Sequence, residues 1–266
     1  MPQLKCLVLI LFLLAIPQTV LGQDTFRFAV FSDSRGDRST SECAADNYGV
    51  SPLLEIVRDH LLRVNESNAV SLVVFPGDMI SGMLKRDAQS TAACNRIQLE
   101  HWRKTIKPIM DRGILIRVTT GNHDAASVDL TRGVTRCGDH GWPYTPNREN
   151  FEVVRNLVGD MILGAPGPAS DLGMTYSFDA GGCHFAVLAA YTMFENNSFS
   201  NETLKWLDSD LAQARRAGLK LFVASHPPAF PGGGHMWNSL SFFDPSYTCN
   251  DYSGIDRRKE RDRFWN

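Results

Sequence analysis

Four short apolar runs, TFRFAVF (25–31), SLVVF (71–75), GILIRVTT (113–120) and LKLFVAS (219–225), constrain this chain more than any other feature. Each is dense in Val, Ile, Leu or Phe without strict alternation, the pattern of strands covered on both faces. Helical periodicity lies between them. In SPLLEIVRDHLLRV (51–64), Leu53, Leu54, Ile56, Val57, Leu61, Leu62 and Val64 form one broad stripe, with Ser51 in the N-cap position. NETLKWLDSDLAQARRAG (201–218) repeats the logic with Leu204, Leu207, Leu211 and Ala214, and ends on a glycine suited to a C-cap. Alternating strand and helix implies right-handed crossovers and a largely parallel sheet core. A second set of strands is expected in MTYSFDAGGCHFAVLAAY (174–191), where Asp179-Ala-Gly-Gly supplies a turn. The expected architecture is an α/β sandwich, two sheets of mixed strands flanked by helices. Residues 125–172, rich in Gly, Pro, Asp and Arg, read as a long irregular excursion over one rim.

Each strand-like run hands over to residues that bind cations. The first ends in Ser32-Asp33-Ser34-Arg35-Gly36, the second in Pro76-Gly77-Asp78, the third in Gly121-Asn122-His123-Asp124 and the last in Ser225-His226-Pro227-Pro228. Ligands bind at the carboxyl ends of parallel strands, because the loops there leave a crevice. Aspartates, an asparagine and histidines meeting at such a rim make a mixed oxygen and nitrogen set that suits Mn, Fe or Zn better than Ca or Mg. A Gly-Asp after one strand is ordinarily a turn. The ordered series of four is what carries information.

That series resembles the calcineurin-like metallophosphoesterases, whose pattern runs D-x-H, G-D, G-N-H-D/E, a lone His and then G-H-x-H. The resemblance covers residues 25–266. It implies a two-sheet fold with outer helices, two divalent metal ions, and phosphoester hydrolysis by in-line attack of a metal-activated water. It also implies that Asp33 ligates one metal, that Asp78 bridges two, and that Asn122 and His226 ligate the second. His123, held by Asp124, would stabilise charge in the transition state or protonate the leaving oxygen.

Two departures from the pattern bear on chemistry. Arg35 stands where the family has histidine. A guanidinium has no free lone pair and stays protonated, so it cannot ligate a metal, whereas its fork suits phosphate oxygens. Arg35 is therefore expected to clamp a substrate phosphate or orient Asp33; the plain structural alternative is an ion pair with Asp37 or another carboxylate. G-H-x-H is absent: Gly234-His235-Met236-Trp237 holds its first half only, in a turn-rich loop, from which His235 is expected to approach substrate. The final RRKERDRFWN reads as the start of a helix, with Phe264 and Trp265 its first large core residues. In the family such a helix precedes the strand bearing G-H-x-H, so the domain is expected to be C-terminally incomplete, lacking its last strands and binding one metal firmly at best. The alternative to an active hydrolase is a catalytically impaired shell that binds a phosphorylated ligand.

Residues 1–22, MPQLKCLVLILFLLAIPQTVLG, read as a secretory signal peptide, which places the domain at 23–266 and the protein outside the cell or in a periplasm, with no membrane span after cleavage. In an oxidising compartment, Cys43, Cys94, Cys137 and Cys249 sit in loop-like surroundings where pairings such as Cys43 with Cys94 and Cys137 with Cys249 are open, and the sequence does not choose among them. Cys183, inside an apolar run, reads as a small buried hydrophobe. Asn65, Asn196 and Asn201 open N-x-Ser/Thr patterns. With 27 Lys+Arg against 29 Asp+Glu there is no broad basic field for nucleic acid, so an anionic substrate must be met locally. The expected partner is a small-molecule, nucleotide or lipid phosphoester.

Overall fold

Parallel pairing joins the first three apolar runs into one sheet. In a computed structural model the described residues are 25–36, 49–65, 70–82, 88–128, 144–146, 148–191, 198–228, 243–249, 252–256, 261–262 and 264. Strands β1 (Phe28–Val30), β2 (Leu72–Phe75) and β3 (Leu115–Val118) lie side by side in that order. β2 is buried at every position, as a run covered on both faces should be. Crossovers α1 (Leu53–Val64) and α2 (Ala88–Asp111) connect the three strands.

The last apolar run belongs to the other sheet. There β6 (Ala165–Pro166), β7 (Tyr176–Ala180) and β8 (Cys183–Leu188) pair antiparallel, and β9 (Lys220–Ser225) adds parallel to β8 after α5 (Asn201–Arg216). Among the described residues two antiparallel pairs complete the strands, β4 (Ala126–Val128) with β5 (Tyr144–Pro146) and β10 (Phe243–Cys249) with β11 (Tyr252–Asp256). The sandwich of mixed strands is borne out. Coverage of β9 on both faces is not: Leu221, Phe222 and Val223 are each more than a third exposed, because β9 is the sheet's edge.

Between the sheets, Leu72 and Val74 of β2 meet Cys183 and Phe185 of β8. The Phe185 ring stands edge-on to Phe28 at 5.0 Å and stacks on Phe178 and Phe222, each at 5.1 Å. Cys183 is buried and free, as expected. The larger core lies on the other face of the first sheet, under α1, α2 and a helix α4 (Arg148–Val158).

Several local readings change. The excursion at 125–172 is not irregular throughout: it contains α3 (Asn122–Ala125) at its entry, β4, β5, β6 and the amphipathic α4, which buries Phe151, Val153, Val154 and Val158. α2 was not anticipated, although Leu99, Trp102, Ile106 and Ile109, three or four residues apart and all at most 1% exposed, spell its buried stripe. On α1 only Leu54 and Leu61 are buried, with Leu53, Ile56, Val57 and Val64 facing outward, and Pro52 holds the N-cap position in place of Ser51. α5 is capped by Ser200, whose hydroxyl accepts the Thr203 N–H at 3.0 Å, and Gly218 follows it at φ +76°. Phe264 packs on the core against Phe199, with ring centroids 5.4 Å apart. The leader at 1–22, Asp37, Cys43, Cys137, His235 and Trp265 lie outside the described residues, as does Asn196.

Candidate metal centre

Asp33, Asp78 and His226 come together although 193 residues separate the first from the last. One ligand atom from each lies within 4.8 Å of the other two. Asp33 follows β1, Asp78 follows β2 and His226 follows β9, so the centre spans both sheets at the carboxyl ends of their strands. Both aspartates take left-handed backbone, φ 56° at Asp33 and 55° at Asp78, a costly conformation for non-glycine residues that here turns carboxylates into the crevice.

The loops after β2 and β3 are interlocked. A Cβ on Gly77 would stand 2.4 Å from the Gly121 nitrogen, and one on Gly121 would stand 2.1 Å from Asp78 Oδ1. Only glycine at both positions allows this approach. Asp124 is the rivet: its two oxygens accept the backbone N–H groups of Asp78 at 2.7 Å, Met79 at 2.9 Å, Ile80 at 3.3 Å and Gly121 at 2.8 Å. Burial first, and then the charge on Asp78, push the Asp124 carboxyl well above its ordinary value, while these donors pull it down.

This geometry corrects the expectation that Asp124 holds the His123 ring. Asp124 is saturated by backbone donors, and the ring is set by other groups: Nδ1 lies 2.6 Å from the Ser81 carbonyl and Nε2 lies 2.8 Å from Arg35 Nη1. A carbonyl only accepts and a guanidinium only donates, so His123 carries its proton on Nδ1 and presents the Nε2 lone pair to Arg35. The sequence carried no signal for the Ser81 contact, because it comes from a loop carbonyl.

The donor set fits a divalent cation on three observations. His226 Nδ1 donates to the Pro76 carbonyl at 2.9 Å, which fixes the ring and leaves the Nε2 lone pair 3.5 Å from Asp78 Oδ2. Asn122 is 2% exposed, and its Oδ1 has no hydrogen-bond partner, which suits a ligand oxygen. Burial acts to raise the Asp78 carboxyl, but positive charge around it, from the rings of His226 and His123 when they are protonated and from Arg35 always, more than offsets it and holds it below the ordinary aspartate value. A carboxylate kept ionised in the interior is what a buried cation requires.

Arg35 reaches into the same place. Its Nε stands 3.3 Å from Asp78 Oδ2 and its Nη2 stands 3.5 Å from Asp33 Oδ1. An isolated bridge to Val50 anchors its backbone, and Ser34 beside it hydrogen-bonds the Met79 carbonyl at 2.7 Å. Arg35 is therefore held by the site's own carboxylates.

A two-sheet α/β sandwich with such a centre at its strand ends defines a class, and the profile of the calcineurin-like phosphoesterases matches residues 26–252. The chain belongs to that family. It is 42% identical over 87 residues to purple acid phosphatase 23 of Arabidopsis thaliana, covering 31% of this chain and 17% of that protein. It is 44% identical over 54 residues to purple acid phosphatase 15 of the same plant, covering 20% and 10% respectively. The chain thus matches less than a fifth of the length of these curated relatives. Among solved structures, a dimetal phosphatase from Danio rerio shares 16% identity over 77% of this chain and 71% of its own, with a TM-score of 0.47.

Proposed function

We propose that this chain is an exported, divalent-metal-dependent hydrolase of phosphate monoesters or diesters. The observation that carries the reading is the convergence of Asp33, Asp78 and His226 from two sheets onto one point, with the unpartnered Asn122 oxygen among the buried groups of the same loops. Asp33, Asp78, Asn122 and His226 would hold the cation, and their mixed oxygen and nitrogen donors suit Mn, Fe or Zn. Such an ion, when bound, polarises a phosphoryl oxygen and lowers the pKa of water toward neutrality.

The chain's own groups do the rest. The Arg35 fork, 26% exposed, faces the crevice and suits the oxygens of a phosphate. Once substrate takes over its Nε2 bond to Arg35 and the ring takes up a second proton there, His123 stabilises developing charge or protonates the leaving oxygen. Asp124 is a positioning residue that ties the two loops, and His235, outside the described residues, is the further group assigned to substrate. The substrate is a small phosphoester, nucleotide and lipid esters included. Export rests on the apolar leader at 1–22, ahead of the hydrolase domain at 23–266, and on loop cysteines of a kind that pair in an oxidising compartment. Among the described residues no helix is long and apolar enough to cross a membrane.

Hydrolysis of an aryl phosphate monoester and of the corresponding diester, with manganese added to metal-stripped protein, tests the proposal. Turnover that disappears in Asp78→Asn and His226→Ala supports it; turnover indifferent to both variants and to chelator defeats it. The second reading, a shell that binds a phosphorylated ligand without cleaving it, is favoured by the bond from Arg35 to His123 Nε2. Phosphate binding by calorimetry without any turnover would select it.

A further inference from the structure

We infer that Arg35 stands in for the second metal ion, so that this centre pairs one divalent cation with a permanent guanidinium. The inference rests on the metal-dependent reading above and concerns how many ions that site holds.

Asp78 Oδ2 has three neighbours of two kinds. His226 offers an imidazole lone pair at 3.5 Å, and His123 Nε2 lies at 3.8 Å. Arg35 places Nε at 3.3 Å. The same guanidinium spans to Asp33 Oδ1 through Nη2 at 3.5 Å and to His123 Nε2 through Nη1 at 2.8 Å. All three of its nitrogens thus lie within 3.5 Å of acceptors of the centre. A second metal ion bridged by Asp78 would need those same lone pairs, and it would lie within contact distance of a fixed positive charge. The guanidinium has no lone pair to offer in return.

Electrostatics and geometry favour the arrangement together. Two carboxylates, Asp33 and Asp78, are offset by one arginine to a net −1, so a single divalent ion already takes the centre to +1 and a second would take it to +3. The guanidinium also keeps what a second ion would supply near a phosphate, namely positive charge beside a nonbridging oxygen, and presents it as a planar fork of donors. Unlike a metal it cannot acidify a bound water. Bridging a water between two ions is therefore closed to this chain, and a nucleophile must be prepared by the single ion.

Manganese content of the metal-stripped, fully reloaded chain, read by elemental analysis with electron paramagnetic resonance, tests this directly. Wild type is expected to hold one ion per chain with the spectrum of an isolated ion. Arg35→His, which removes the fixed charge and adds a lone pair beside Asp33 and Asp78, is expected to hold two with a spin-coupled spectrum. Arg35→Lys keeps the charge without the fork and is expected to stay at one. Two coupled ions in wild type, or an unchanged single ion in a folded Arg35→His, overturns the inference and leaves the metal-dependent reading standing. No manganese in any form overturns both. Thermal melts of each variant establish folding, and the wild-type count decides the matter even if Arg35→His fails to fold.

Discussion

Gly121 shows how closely single residues set this centre. Its missing side chain is what allows Asp78 Oδ1 and the Asp78 nitrogen to approach, since a Cβ would stand 2.1 and 2.5 Å from them. Neither contact can relax cheaply, because the Asp78 backbone is tied to Asp124 and its Oδ1 accepts the His123 N–H at 3.0 Å. Gly121→Ala is expected to cost about 1–3 kcal/mol of stability, the usual range for forced overpacking. It should also weaken manganese binding by about 10–100-fold, as the loss of a group that orients ligands does. Chemical denaturation and calorimetry read the two effects. At this scale the sequence was most legible: Asp33, Asp78 and His226 lie where their positions after apolar runs placed them. What escaped it were partners supplied by backbone, the Ser81 carbonyl on His123 and the four N–H groups on Asp124. Backbone groups are common to every residue and leave no mark in a sequence.

Among the elements, α5 is fastened to the second sheet by a buried histidine. His184 of β8, 6% exposed, places Nδ1 at 2.7 Å from Asp179 of β7 and Nε2 at 2.7 Å from Asp210 of α5. Asp210 also accepts the Ser177 hydroxyl at 2.9 Å. Burial works to lower the His184 pKa, and its bonds to Asp210 and then Asp179 outweigh it, so the value is raised. A raised folded value means that the clamp's stabilisation is complete below the unfolded histidine value and is lost as pH rises through the folded one. Stability to urea is therefore expected to fall on the alkaline side of the ordinary histidine range, and His184→Gln should remove that dependence. The variant should lose about 1.5–3 kcal/mol at low pH, the scale of hydrogen bonds to charged groups. An unchanged pH profile in the variant would show that other groups set it. The apolar run around His184 announced a core strand, but alternation within one strand does not reveal which helix faces it. The same gap hid α4, whose Phe151, Val154 and Val158 spacing was legible but lay in a stretch rich in turn formers.

Across the whole molecule, the proposed centre is a joint between sheets. Asp33 and Asp78 come from the first sheet and His226 from the second, while the aromatic stack of Phe28, Phe185, Phe178 and Phe222 holds the sheets together elsewhere. An ion bound by both sides adds a connection that the unfolded chain cannot make. Saturating manganese is therefore expected to raise unfolding free energy by about 2.7 kcal/mol at a hundredfold excess over the dissociation constant. Chelator should reverse this, and His226→Ala, which removes the second sheet's ligand, should abolish most of it. Phe185→Ala makes the complementary cut: it should lower the metal-free baseline by about 3–5 kcal/mol through the cavity it leaves. If its increment from manganese survives at higher metal concentration, the ion and the aromatic stack are independent fasteners. If the increment vanishes at every concentration, inter-sheet packing is what brings His226 within reach of Asp78.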